Sequence, residues 1–294
     1  MRFSLSQGWQ WKFVGSVTFV GTLLTAMRGQ VLAQILLDNT LGAESSVVTP
    51  DVIKGIPSDR IDGGATRGAN LFHSFEQFSV LEGQGAYFTN SAGIANILSR
   101  VTGTNRSDIL GRLGVLGNAN LFLINPNGIV FGENASLDLQ GSFLATTANA
   151  IRLGDEGLFS ASQPATSNLL TVQPSAIWFN ALATQPIVNQ SLAVSLIDQP
   201  NIVNRPPGLQ VPAGQTLALV GGDIRLEGGN LTAAGGRMEL GSVAGVGEVS
   251  LTQTGNRLLL GYDSVSEFGN ISLTDGALVT VTEITPCLEG QGVP

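Results

Sequence analysis

The chain has 294 residues, a formal net charge of −8, only 12% charged residues, 38 glycines and 6% aromatics. A globular α/β enzyme of this length normally carries amphipathic helical runs with charge along one face, and none is found beyond the first 33 residues. The acidic balance argues against nucleic acid or an anionic membrane surface as partner, because both attract basic footprints.

Residues 1–33 carry Arg2 and Lys12, an apolar run from Phe13 to about Met27, and then Val31-Leu32-Ala33. This reads as a signal peptide for the Sec machinery, cut between Ala33 and Gln34. The run is shorter than the ~20 residues a spanning helix needs. Without these residues, 11 basic side chains face 22 acidic ones.

From Gln34 to about Asn180, short apolar runs alternate with Gly, Asn and Asp punctuation, a pattern of short strands and turns. Residues 90–101 place Ile94, Ile97 and Leu98 at helical spacing beside glycines and are expected as a loop excursion. Leu121 to Ile124 and Ile129 to Phe131 read as strands, and between them Asn125-Pro126-Asn127-Gly128 reads as a tight turn. Proline presets φ for the first central position, and Asn-Gly tolerates positive φ. Leu137 and Leu139 then alternate with polar residues. Asp155 to Ser175 is a connection or surface excursion, and Ala176 to Asn180 resumes as a strand.

Residues 181–213 hold Pro186, Pro200, Pro206, Pro207 and Pro212 and read as a linker or a region of decorated loops. Beyond them one unit recurs: Gly222 to Leu226, Gly236 to Leu240, Gly247 to Leu251 and Gly269 to Leu273, each a glycine followed by alternating polar and apolar residues. A unit with one apolar face cannot bury it alone, so the units should stack as rungs around one continuous core. The expected fold class is all-β, a parallel β-helix, with an antiparallel sandwich or barrel as the other architecture open to this pattern. Further rungs are expected over 214–284 and a tail over 285–294.

Asn118 to Gly132 reads NANLFLINPNGIVFG, followed from Gly141 by GSFLATTA. With Asp38 to Gly42, Gly68 to Phe75, Arg100 to Gly103 and Ser107 to Gly111, it resembles the filamentous haemagglutinin N-terminal domain of two-partner secretion exoproteins. The resemblance covers roughly residues 34–180. It implies a right-handed, pectin-lyase-like β-helix with an N-terminal cap and loop excursions. It also implies recognition in the periplasm by an outer-membrane β-barrel with POTRA domains, and an adhesin-like role on a host or neighbouring cell surface or polysaccharide. The motif residues it singles out are Asn125, Pro126, Asn127, Gly128 and Ile129, supported by Asn118, Asn120, Asn70, Arg100 and Gly141. The lone Cys287 allows no intramolecular disulfide, which fits a chain threading a narrow pore unfolded.

Other chemistries are poorly provided for. His73 is the only histidine and cannot complete a metal cluster or a triad without partners. Asp59 and Asp62 could serve as paired carboxylates of a carbohydrate-active β-helix, but Gly63-Gly64 follows directly and a turn explains the same residues. No cofactor or metal is called for. Two alternatives stay open, a carbohydrate-active β-helix enzyme and a truncated fragment of a longer exoprotein.

Overall fold

In the computed structural model, residues 35–180, 185–196, 207–255 and 257–282 are described. The expected signal peptide with its Ala33/Gln34 cut, Cys287 and the tail lie outside them.

The strands wind into a right-handed parallel β-helix with three ladders. The first ladder stacks Asn70–Phe78, Asn96–Val101, Asn120–Ile124, Phe143–Thr146, Thr216–Gly221 and Arg237–Ser242, all parallel. The second stacks Ser107–Ile109, Ile129–Phe131, Ile187–Asn189, Ile224–Glu227 and Ile271–Thr274. The third runs Ile56–Gly63, Gly85–Phe88, Arg112–Val115 and Ser136–Asp138, with Leu209–Val211, Leu231–Ala233 and Val279–Thr280 forming a further parallel set. Leu121 pairs with Phe143, so one turn of the helix here takes 22 residues. Inward side chains such as Leu71, Ile97, Leu121, Ile129, Leu137, Phe143 and Leu217 fill the lumen as one apolar core.

Two excursions leave the helix, one between Thr146 and Ile187 and one between Ser242 and Ile271. They combine into one antiparallel sheet, in the order Gly157–Ser160, Ala150–Leu153, Pro174–Phe179, Gly247–Thr254 and Arg257–Gly261. This sheet covers the outer side of the first ladder. Phe72, Leu98, Phe122 and Leu144 of the ladder form a second core with Ile151, Phe159, Ile177, Phe179, Val249 and Leu258. At the N-terminal end Ile35–Leu37 pairs antiparallel with Asn70–Phe78, and the hairpin Ser46–Ile53/Ile56–Gly63 leads into the third ladder.

Three sequence expectations are corrected. Residues 96–101 are a fully buried strand rather than part of a loop excursion, because both neighbours in the first ladder pair with it. The linker reading of 181–213 does not hold for its described residues 187–189 and 209–211, since Ile187–Asn189 and Leu209–Val211 are rung strands. Pro186 and Pro212 stand just outside these strands, where no ladder N–H is lost. Gly247 to Leu251 does not join the helix but crosses the outer sheet, because its apolar face meets the second core. The Asp155 to Ser175 excursion and the Ala176 to Asn180 strand fall in that sheet and its connections.

Candidate functional site

The turn Asn125 to Gly128 carries the chain from the first ladder to the second. It closes through the Gly128 amide, which donates to the Asn125 carbonyl at 3.1 Å. The Asn125 side chain organises it. Its Oδ1 accepts from the Asn127 amide at 2.9 Å, and its Nδ2 donates to the Asn105 carbonyl and to Ser107 Oγ, each at 3.0 Å. Asn127 Nδ2 donates to the Gly103 carbonyl at 2.7 Å, which ties the turn to the corner of the preceding rung. Gly128 has φ +106°, while Asn127 keeps negative φ, so the left-handed demand of the pair falls on glycine alone. Asn125 and Ile129 are fully buried, and Pro126 and Asn127 are half-buried. A partner could touch only these last two. Asn125 would act on such a partner by holding the turn.

A second arrangement crosses the rungs at the start of the first ladder. Asn70, Asn96 and Asn120 are in register on three consecutive rungs. Asn96 Nδ2 donates to Asn70 Oδ1 at 3.1 Å and Asn120 Nδ2 donates to Asn96 Oδ1 at 3.0 Å. Asn120 Oδ1 then accepts from the Ser142 amide at 2.8 Å, and Ser142 Oγ accepts from the Thr216 amide at 2.8 Å. Asn70 Nδ2 and Asn96 Nδ2 also reach Val172 and Gln173 of the first excursion. A buried polar column of this kind loses its bonds if a rung slips, so it fixes register. Asn96, which the sequence reading passed over, is its middle member. Its signal was the repeated Asn ahead of each apolar run, Asn70-Leu71, Asn96-Ile97 and Asn120-Leu121. Asn118 is exposed and stands outside the column. Gly141 lies where a Cβ would meet the Ala119 carbonyl oxygen at 2.6 Å and the Asn120 nitrogen at 2.8 Å, so the close rung contact requires glycine.

Arg100 is fully buried, on the outer side of the first ladder. Its Nε donates to Ser74 Oγ and its Nη2 to Thr40 Oγ1, each at 2.8 Å, and Nη1 donates to the Ser160 carbonyl at 2.7 Å and to Ser167 Oγ. The guanidinium lies 4.4 Å from the Phe159 ring centre. Burial pushes Arg100 down to about 10, against the opposing pull of Asp38. Burial also pushes the Asp38 carboxyl up, but hydrogen bonds from Thr102, Ser74 and Thr40 outweigh it and hold the group below its ordinary value.

His73 faces the lumen beside Phe75 and Phe88, with Nδ1 3.0 Å from Ser46 Oγ. Burial pushes it down to about 4, with Asp62 acting in the opposite direction. Asp59 and Asp62 stand three apart on one strand, which sends their side chains to opposite faces. Asp62 is taken up by Thr89 Oγ1 at 2.7 Å and Arg60 Nε at 2.8 Å. Among the described residues no group of three His, Cys, Asp or Glu is placed to hold a metal ion.

The TPS secretion domain family matches residues 33–292, and the chain belongs to it. The match runs far past residue 180, through the region read from sequence as linker and further rungs. The domain is therefore that of a two-partner secretion exoprotein, a family that is not one of enzymes. Among solved structures the chain is similar to the HMW1 secretion domain from Haemophilus influenzae, at 21% identity and TM-score 0.48, covering 80% of this chain and 53% of that one. It is also similar to the filamentous hemagglutinin secretion domain, at 16% identity and TM-score 0.42, covering 84% of this chain and 73% of that one. The chain thus spans about half the length of the HMW1 domain it matches. No curated protein matches.

Proposed function

We propose that this domain is recognised in the periplasm by an outer-membrane β-barrel with POTRA domains, which passes the chain to the outside or the cell surface, where it acts as an adhesin. The family match over residues 33–292 carries this reading. The architecture supports it, because contacts run mainly between successive rungs and allow folding to spread along the chain as it emerges. The half-buried Pro126 and Asn127 are the part of the motif open to a barrel, while Asn125 and Gly128 maintain the turn. The test is secretion in a host with and without the cognate barrel, comparing wild type with Asn127→Ala. Wild type should fill the medium only when the barrel is present, and the variant should be retained. Wild type left in the periplasm beside its barrel would overturn the proposal.

A further inference from the structure

Three segments far apart in the sequence converge on Arg100. Residues 35–44 form an N-terminal strap beside the first ladder, Ser74 and Thr102 belong to that ladder or its edge, and Ser160 and Ser167 belong to the first excursion. The strap is held by Asp38. Its Oδ2 accepts from Ser74 Oγ at 2.7 Å and Thr102 Oγ1 at 2.6 Å, and its Oδ1 accepts from the Thr40 amide at 3.0 Å and Thr40 Oγ1 at 2.8 Å. No direct ion pair joins Asp38 to Arg100. The hydroxyls of Ser74 and Thr40 each donate to the carboxylate and accept from the guanidinium, so both charges act through two relays. The remaining fork of Arg100 is spent on Ser160 and Ser167.

We propose that Arg100 is a conformational latch that couples the N-terminal strap to the excursion at residues 157–168, so that each segment closes fully only when the other is in place. The physical reason is the cost of a buried charge. If the excursion is open, Arg100 loses two acceptors and the covering Phe159 ring, and the guanidinium is drawn toward water and away from Thr40 and Ser74. If the strap is open, the guanidinium loses Thr40 and the nearby carboxylate that compensates its burial. The strap therefore cannot complete its polar contacts until the chain through Ser167 has folded. The N-terminal segment of the domain stays openable while the first rungs assemble.

Amide hydrogen exchange on the full folded chain tests this. The probes are the hydrogen-bonded amides of Thr40 and Gly42 in the strap, and of Leu158 and Asn168 in the excursion. Ser167→Ala should speed exchange at Thr40 and Gly42, and Thr40→Val should speed it at Leu158 and Asn168, each by about 10-fold, as expected for loss of one hydrogen bond to a charged group. Asp38→Asn should do the same at both places. Glu44→Gln serves as the control. It breaks the exposed Glu44 to Arg67 ion pair of 2.7 Å without touching Arg100, and should leave exchange at Thr40, Leu158 and Asn168 unchanged. If each variant loosens only its own segment, or if Glu44→Gln also releases the excursion, the latch is wrong. Should Asp38→Asn fail to fold, Ser167→Ala and Thr40→Val keep both charges and decide the question.

Discussion

The first and second ladders are built from the same winding chain yet read differently. In the first, Asn96–Val101, Asn120–Ile124, Phe143–Thr146 and Thr216–Gly221 are buried at every position. In the second, Ile129–Phe131 and Ile187–Asn189 bury only their ends, and Ile224–Glu227 alternates strictly between buried and exposed. The difference lies outside the helix, where the antiparallel sheet of the excursions covers the first ladder. A strand covered on both sides becomes a continuous apolar run, whereas one facing water keeps a period of two. The apolar runs either side of Asn125 to Gly128, Leu121 to Ile124 and Ile129 to Phe131, therefore belong to two different environments joined by one turn.

The contrast can be broken most directly with paired truncations. Phe122 points into the outer core and is fully buried, so Phe122→Ala should cost about 3–5 kcal/mol in denaturant unfolding. Val130, half-buried on the second ladder, should cost less than about 1 kcal/mol as Val130→Ala. Equal losses would mean that the outer sheet does not cover the first ladder in solution.

The lumen end of the first ladder can be probed with acid. His73 is neutral when folded, its value pushed down to about 4, while the unfolded chain takes up the proton near 6.5. Its contribution is therefore fully present above pH 6.5 and is lost as pH falls toward 4, by about 3 kcal/mol. Unfolding midpoints of wild type and His73→Phe at pH 7, 5.5 and 4 separate this from the carboxylates. A variant with the same pH dependence as wild type would remove His73 from the account.

The smallest effect sharpens the register argument. Asn96→Ala breaks the asparagine column at its centre and leaves buried partners unpaired, for about 1–3 kcal/mol. Asn118→Ala, two residues before Asn120 but exposed, should stay within about 0.5 kcal/mol. Comparable losses at the two sites would show that asparagine content, and not the column, matters here.

Local chemistry made part of the site legible. Pro126, Asn127 and Gly128 announced a turn, and the structure closes it at Gly128 as expected, although the column through Asn96 was hidden. Asn70 and Asn120 stand out beside motif-like runs, whereas Asn96 follows a glycine-flanked stretch whose apolar spacing mimics a helical turn. Arg100 was visible as a motif residue, but its partners Thr40, Ser160 and Ser167 are about 60 or more residues away and no local pattern joins them.

By itself the sequence determined that the chain is all-β, that it repeats, and where the Asn125 to Gly128 turn lies, because strand period and turn chemistry act over a few residues. Only the tertiary structure decided that two excursions, 150–179 and 247–261, build one sheet, that the proline-rich stretch contributes rungs, and that Gly247 to Leu251 lies outside the helix. An apolar face states that it must be covered but not by what. Pairing across some 70 residues, as between Trp178 and Glu248, is chosen by which exposed face remains once the rungs have stacked.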